Sequence, residues 1–167
     1  DMVSQAVHTA IAFSIAVGAV MMAVGLVGAP FALRAMGTPE SVMNYATTYL
    51  RIYFIGIIPN LIYNMGAGIL RAIGDSRRPL LFLIAGCFTN IVLDLLFVVQ
   101  FGMEVAGAAW ATIISQAVSA ILVILVLTRT SESYKLHLKK LRMDKVLVRR
   151  IVEIGLPAGL QSVMYNI

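Results

Sequence analysis

The stretch that decides the fold is residues 79–101, which read PLLFLIAGCFTNIVLDLLFVVQF. Asp94 is its one charged side chain, and most of the others are apolar. A helix rises about 1.5 Å per residue and the hydrocarbon core of a bilayer is about 30 Å thick, so roughly 20 apolar residues are enough to cross it. The stretch therefore predicts a transmembrane helix that carries one carboxyl group inside the membrane.

The composition of the whole chain points the same way. Its 167 residues are 60% hydrophobic and 13% charged, with a mean hydropathy of +0.90, whereas about a quarter of the residues in a soluble domain are charged. One cysteine, Cys87, and two histidines far apart in the sequence cannot supply a disulfide framework, a zinc site or a haem site. Phosphate-binding loops, metalloprotease motifs and nucleophile elbows are also missing, so we expect neither an enzyme nor a bound cofactor.

Similar apolar stretches lie on both sides of this helix. The predicted spans are residues 6–29, 43–70, 79–101 and 105–128, and a further apolar segment covers residues 151–167. Glycine and proline residues separate the first two spans, and the RAIGDSRRP turn separates the next two. The predicted fold class is therefore all-α, a polytopic membrane bundle.

Basic residues mark two of the connections between these spans. Three arginines lie in residues 71–79, and eight lysines and arginines lie in residues 129–150. By the positive-inside rule, both loops face the cytoplasm. The net charge of +5 is thus a topology signal, and no nucleic-acid partner is needed to explain it. Leucines and valines interleave with the lysines and arginines of the 129–150 loop, which suits either a short helix on an anionic leaflet or a solvated linker.

Asp94 and Asn90 are the main candidates for a binding site. An ionisable group inside a membrane span is costly and is by default a functional candidate. Asn90 precedes Asp94 by four positions, so both side chains lie on one helix face. The pair could coordinate sodium, or the carboxyl group could take up and release a proton. The alternative is an aspartate that only fixes helix packing through hydrogen bonds.

Weaker polar candidates lie on the neighbouring spans. Thr112 and Gln116 repeat the four-residue spacing, but such side chains also serve as hydrogen bonds between helices. Asn60 and Asn64 follow Gly56 and Pro59, where a bend could expose backbone carbonyls beside a substrate cavity, or could simply be a packed kink. Three ionisable side chains lie near span ends. Arg51 and Glu153 are close enough to an end to snorkel, and His8, a lone histidine, is weak evidence for a proton relay.

These segments together resemble the multidrug and toxic compound extrusion (MATE) family of cation-coupled antiporters. The resemblance lies in ILRAIGD at residues 69–75, TNIVLD at 89–94, VAGAAWAT at 105–112 with SQ at 115–116, and IGLPAGLQ at 154–161. The motifs follow one another in the family's order over nearly the whole chain. Members of this family have about twelve helices in two six-helix lobes.

On that resemblance, residues 1–128 are helices three to six of the N-terminal lobe. Residues 129–150 are then the loop between the lobes, and residues 151–167 begin the seventh helix. The resemblance implies a multi-pass protein of the plasma (inner) membrane that exports organic, mostly cationic drugs by alternating access. We therefore expect further residues on both sides of this chain.

The resemblance also implies which residues bind the coupling ion. Asn90 and Asp94 match the family's Asn-x-x-x-Asp pair, and Thr112 matches the threonine of its sixth helix. The family's helix-one aspartate lies outside this chain, and its helix-four amide corresponds to Ala67 here, so that contact is absent or comes from Asn64. The ion, sodium or proton, therefore stays open. Asn60, Asn64 and Gln116 are the candidates for lining a substrate cavity.

Two other functions remain as alternatives. A lipid-linked saccharide flippase of the same superfamily would be expected to carry a cationic central cavity. Arg51 is the only residue here that favours this alternative. A membrane scaffold or accessory subunit without a transport site would tolerate leucine at Asp94. The partners that we expect are small organic cations, the lipid bilayer and the remaining helices of the same transporter.

Overall fold

The computed structural model describes residues 2–166, and this part of the chain contains helices and turns but no strand. Its α-helices are, in chain order, α1 (Met2–Ala35), α2 (Glu40–Ile55), α3 (Ile57–Ala72), α4 (Arg77–Asp94), α5 (Glu104–Arg129) and α6 (Lys145–Tyr165). A π-helical segment (Leu95–Gln100) continues α4, and one 3-10 turn (Leu138–Lys140) lies between α5 and α6.

Several of these helices are long and apolar enough to cross a membrane. By length and composition, α1, α4 with its π-helical segment, and α5 each qualify as a span. α2 and α3 qualify as one span only when they are taken together. Each of the four predicted spans thus falls on one of these units.

The second span, predicted over residues 43–70 with a bend or packed kink at Gly56 and Pro59, is bent at this place. It is divided at Gly56 into α2 and α3, whose axes are bent by 41°. Pro59 has no N–H to donate to the carbonyl of Ile55, and its ring crowds the preceding turn, so the helix breaks one turn before the proline. The Gly56 N–H instead donates to the Tyr53 carbonyl oxygen at 3.0 Å. Pro59 therefore causes the bend, and the bend lies at Gly56.

The last helix begins earlier than the apolar pattern suggested. α6 starts at Lys145, six residues before the predicted start at Ile151. Asp144 caps it, because its carboxylate accepts hydrogen bonds from the Val146 and Leu147 N–H groups at 2.9 and 3.1 Å. Val146 and Leu147 therefore belong to α6. Neither interpretation of the 129–150 loop fits fully: residues 138–140 form one 3-10 turn, and residues 145–150 are helical but belong to α6.

Close approach of α5 to its neighbours forms the core. A Cβ atom on Gly66 of α3 would overlap Val123 of α5, and one on Gly86 of α4 would overlap Ser119 of α5. The Ser119 hydroxyl donates to the Phe82 carbonyl oxygen of α4 at 2.9 Å. Small residues at these crossings let the backbones pack tightly, as is common between membrane helices.

Candidate functional site

Asn90 and Asp94 lie in the last turn and a half of α4, just before the π-helical segment. Both residues are half-buried. The Asn90 Nδ2 atom and the Asp94 Oδ1 atom are inaccessible to solvent, and neither has a hydrogen-bond partner within residues 2–166. Since the two residues are four positions apart, two unpartnered polar atoms lie on successive turns of one helix face.

These two atoms are the strongest sign of a binding site in the described chain. A buried polar atom without a partner costs about 1–3 kcal/mol, and native structures keep few of them. A sodium ion would fit this donor set, because hard cations take carboxylate, amide and backbone oxygens. Rotation of the Asn90 amide exchanges its oxygen and nitrogen and would turn Oδ1 toward the position of Nδ2. A proton on the Asp94 carboxyl group would also remove the unpaired charge.

The backbone changes its hydrogen bonding directly after Asp94. The Phe101 N–H donates to the Leu96 carbonyl oxygen at 3.0 Å, and the Met103 N–H donates to the Phe97 carbonyl oxygen at 2.9 Å. These bonds span five and six residues instead of four, and π-helical segments of this kind are frequent at functional sites. The span predicted over residues 79–101 is present as one helical unit, Arg77–Gln100, but the sequence did not predict its π-helical end. No residue of its sequence, LLFVVQ, predicts a π-helix.

Thr112 lies on α5, the helix with which α4 makes its most extensive contact. Its hydroxyl donates to the Ala108 carbonyl oxygen at 2.9 Å, one turn back along the same helix. The hydroxyl proton is thus engaged, and the lone pairs of Oγ1 stay available to a cation. Thr112 is half-buried.

A cavity of about 250 Å³ opens between α3, α4 and α5 next to this pair. Amide side chains from all three helices contribute to its wall: Asn60, Asn64, Asn90 and Gln116. The remaining lining residues are Tyr63, Leu83, Gly86, Cys87, Ser115 and Ser119. The structure therefore brings the three predicted cavity residues together with Asn90. Asp94 and Thr112 are not part of this wall.

The two α3 amides are paired with each other. The Asn64 Nδ2 atom donates to the backbone and side-chain oxygens of Asn60, both at 2.9 Å. This leaves the Asn64 side-chain oxygen available to the cavity, whereas Ala67, at the position of the family's amide, is fully buried. The Gln116 side chain lies next to Gly56, at the bend between α2 and α3. Its Oε1 atom would be 3.2 Å from the Cβ atom that any other residue would have at position 56. The glycine thus leaves room for Gln116 at the cavity.

The sequence interpretation missed several residues of this wall, among them Cys87 and Tyr63. Cys87 precedes Asn90 by three positions and Tyr63 follows Asn60 by three, so both lie on the helix faces that carry the amides. That spacing is the signal that could have identified them. The Tyr63 hydroxyl also donates to the Pro79 carbonyl oxygen at 2.9 Å and so joins α3 to α4.

The three ionisable residues near span ends lie outside this cavity. The Arg51 guanidinium is exposed and donates from Nε to the Leu26 carbonyl oxygen at 3.2 Å. Glu153 forms an exposed ion pair with Arg149. The His8 side chain accepts a hydrogen bond from the backbone of the loop between α5 and α6. None of them contributes to the pair formed by Asn90 and Asp94.

We expect Asn90→Leu to raise the stability of the cation-free protein and to abolish its stabilisation by the coupling cation. The substitution replaces an unpartnered buried amide by an apolar group of similar size, which removes a cost of about 1–3 kcal/mol. Thermal unfolding of the purified full-length protein, with and without sodium and at several pH values, measures both effects. Thr89→Val is the matched control, because the Thr89 hydroxyl is already bonded to the Ala85 carbonyl oxygen. A purely structural Asn90 predicts that the cation response survives in both variants.

Comparison with known proteins gives one consistent result. The MatE family model matches residues 1–96. The chain is 38% identical over 133 residues to the probable multidrug resistance protein YpnP of Bacillus subtilis, an alignment that covers 79% of this chain and 29% of YpnP. The chain thus spans about a third of the length of the curated relatives that it matches.

Solved structures agree with these sequence relationships. A multidrug resistance MATE family transporter of the MOP superfamily, in an outward-facing conformation, superposes with a TM-score of 0.84 at 28% identity over 95% of this chain and 36% of that one. An inward-facing structure of such a transporter superposes with a TM-score of 0.78 at 26% identity over 93% of this chain and 40% of that one. The predicted all-α fold, a bundle of apolar helices that forms part of one lobe, is confirmed.

Proposed function

The chain belongs to the multidrug and toxic compound extrusion family, and we propose that the protein is a cation-coupled antiporter that exports organic, mostly cationic compounds. The observation that carries this proposal is the pair of buried, unpartnered atoms on Asn90 and Asp94 beside an amide-lined cavity. A coupled transporter needs one group that a cation can bind and a neighbouring volume that a drug can enter. Residues 1–128 would be part of the N-terminal lobe, residues 129–150 the inter-lobe loop, and residues 151–167 the start of the second lobe.

Each residue of the site would have its own role. Asp94 supplies the negative charge, which sodium or a proton neutralises. Asn90 and Thr112 supply neutral oxygen atoms toward sodium. Asn60, Asn64 and Gln116 line the volume in which the substrate binds, and their amides can satisfy polar groups of many different compounds. No cofactor enters this mechanism.

The mechanism that we propose is alternating access, in which the two lobes rock around the central site. A cation that binds the ionised Asp94 favours one arrangement of the lobes, and an organic cation favours the other. A ligand shifts such an equilibrium only through its differential affinity for the two states. Entry of the coupling ion would therefore drive release of the drug.

The protein would reside in the plasma membrane, with the basic loops at residues 71–79 and 129–150 on the cytoplasmic side. Three apolar helices and one bent pair of helices support an integral membrane protein. The charge difference between the loops supports the orientation.

The flippase alternative receives no support from the cavity. A lipid-linked saccharide carries a negatively charged phosphate group, which favours basic side chains around its binding site. The cavity beside Asn90 is lined only by uncharged side chains in the described part of the chain, and Arg51 is not among them. A scaffold without a transport site likewise offers no role for the unpartnered atoms of Asn90 and Asp94.

Transport measured at several pH values, with and without sodium, tests the proposal and identifies the coupling ion. We expect the full-length protein in proteoliposomes to export a fluorescent organic cation when one cation gradient is directed inward. Dependence on sodium at constant pH assigns sodium, and dependence on the pH gradient without sodium assigns the proton. Folded protein that responds to neither gradient would refute coupled antiport.

A further inference from the structure

Two α1 side chains hold the loop between α5 and α6 against the start of α1. The His8 Nε2 atom accepts a hydrogen bond from the His137 N–H at 2.9 Å, which joins the two histidines that are far apart in the sequence. The Thr9 hydroxyl accepts from the Asp144 N–H at 3.2 Å and donates to the Arg142 carbonyl oxygen at 3.4 Å. His8 and Thr9 are only 6% and 1% exposed. The loop is therefore bonded to the bundle at fixed points and is not a free linker.

Beside these bonds lies a second, open cavity of about 670 Å³, between the loop and the first turns of α1. Its wall carries three basic side chains from the loop, Lys139, Lys140 and Arg142. Ser4 and Gln5 of α1 lie on the same wall and offer a hydroxyl and an amide. All five side chains are exposed except that of Ser4, which is half-buried. An anion in this cavity would find cationic and neutral hydrogen-bond donors together.

The positive charge of this cavity is unmatched. The ion pairs of the described residues are Arg78 with Asp75 and Arg149 with Glu153, so none involves the three basic residues of the cavity wall. Asp144 is the one acidic residue on the wall, and its Oδ1 atom already accepts two hydrogen bonds at the start of α6. Three cations and one carboxylate leave a formal charge of +2. Such a concentration of one sign attracts an anion.

Apolar side chains at the same loop show which anion fits best. Leu138 and Met143 are 55% and 54% exposed, and they alternate with the basic residues along the loop. Exposed apolar groups beside lysine and arginine are typical of segments at the membrane interface, where the apolar groups enter the acyl layer. The cavity also lies where the membrane-spanning helix α1 begins. A soluble anion would explain the basic residues but not Leu138 and Met143.

We propose that this basic cavity binds the phosphate headgroup of an anionic phospholipid of the cytoplasmic leaflet. Lys139, Lys140 and Arg142 contact the phosphate oxygens, and Leu138 and Met143 enter the acyl layer. Because the loop leads from α5 into α6, a bound headgroup holds the start of α6 against α1. The inference rests on the membrane orientation given under the proposed function, but it needs neither cation coupling nor drug binding.

The test is binding of phosphatidylglycerol to the purified full-length protein in neutral detergent, followed by thermal unfolding. The test variant is Lys139→Gln/Lys140→Gln/Arg142→Gln. Each basic residue near an anionic surface contributes roughly a factor of five in affinity, so we expect its apparent affinity for phosphatidylglycerol to fall about 100-fold. Phosphatidylcholine should give no comparable stabilisation, because it has no net negative charge.

The matched control removes the same charge from the same part of the chain, residues 129–150, but outside the cavity. It is Arg129→Gln/Lys135→Gln/Lys145→Gln, and we expect it to lose less than about tenfold in affinity, because these residues act only at a distance. A second variant, Lys139→Arg/Lys140→Arg/Arg142→Lys, keeps the charge and should keep the binding. Equal losses in both glutamine variants would overturn the inference. Equal stabilisation of the wild type by inorganic phosphate would overturn the choice of a lipid.

Failure of this inference can be told apart from failure of the proposed antiport. The glutamine variant at residues 139, 140 and 142 leaves Asn90, Asp94 and the amide-lined cavity unchanged. If drug efflux is absent but the affinity difference between the two triple variants is present, only the antiport proposal fails. If efflux is coupled to a cation but both triple variants bind phosphatidylglycerol alike, only the lipid site fails.

Discussion

Asp94→Asn in the full-length protein is expected to abolish cation-driven efflux of organic cations while the protein stays folded in the membrane. Asparagine preserves the size of the side chain but cannot carry the negative charge that a cation neutralises. Coupling between two bound ligands is typically worth about 1–3 kcal/mol, so the variant should lose a roughly 5- to 150-fold effect of the cation on the affinity for the organic cation. The measurement is efflux of a fluorescent organic cation from proteoliposomes under an imposed cation gradient.

Asp75→Asn is the matched control for this variant. Asp75 lies in the short turn between α3 and α4, where it pairs with the exposed Arg78 at 3.2 Å. Asp75 is half-buried and also accepts a hydrogen bond from the Arg78 N–H, which asparagine can still accept, so this variant should transport like the wild type. Wild-type efflux by the Asp94→Asn protein would show that Asp94 is a packing residue, as the scaffold alternative requires.

Gly66→Ala is expected to destabilise the fold strongly for a single methyl group. The new Cβ atom would overlap the side chain of Val123 on α5. Valine is β-branched and has one strongly preferred rotamer in a helix, so it cannot swing away cheaply. Overpacking of this kind costs about 1–3 kcal/mol. Thermal unfolding of the purified protein in one detergent measures the loss as a lower melting temperature.

Gly68→Ala provides the control two residues further along α3. Apart from its chain neighbours and the backbone of its own helix, no atom lies within 4 Å of the position that its Cβ atom would take. The exchange should therefore be neutral, or should stabilise the helix by up to about 1 kcal/mol, because alanine favours helix more than glycine does. Equal melting temperatures for the two variants would contradict the close crossing of α3 and α5.

The membrane helices could be predicted from the sequence because their signal is long and local. An apolar stretch of twenty or more residues has few other stable structures, and residues 79–101 are such a stretch although they include Asp94. The position of the break in the second span depends on one proline and on contacts between helices. Pro59 marks a disturbance, but which peptide bends depends on the approach of Ile113 and Gln116 to Gly56, which only packing determines.

The candidate site was predictable as far as it depends on spacing. Asn90 and Asp94 share a helix face because four residues make about one turn. The cavity also depends on the angles between three helices, and no local pattern predicts that it includes Asn90 but leaves Asp94 and Thr112 outside. The π-helical segment after Asp94 also packs closely against α5, since a Cβ atom on Gly107 would lie 3.1 Å from the Cβ atom of Phe97, and no local pattern predicts this contact.

The loop between α5 and α6 was the least predictable part. Its basic and apolar residues fitted two interpretations, and neither describes it fully. The His137 N–H finds its acceptor on His8, 129 residues earlier in the chain, and a contact over that separation leaves no mark in the local pattern. The start of α6 depends on the cap at Asp144, which the apolar pattern that suggested Ile151 does not reveal.

The central claim is that binding of a cation at Asp94 opposes binding of an organic cation. It is tested most directly by the affinity of the purified full-length protein for one fluorescent organic cation, measured with and without a saturating amount of the coupling ion. We predict that the coupling ion weakens this affinity by roughly 5- to 150-fold in the wild type and leaves it unchanged in Asp94→Asn. An affinity that is equal with and without sodium and at every pH in the wild type would contradict the claim.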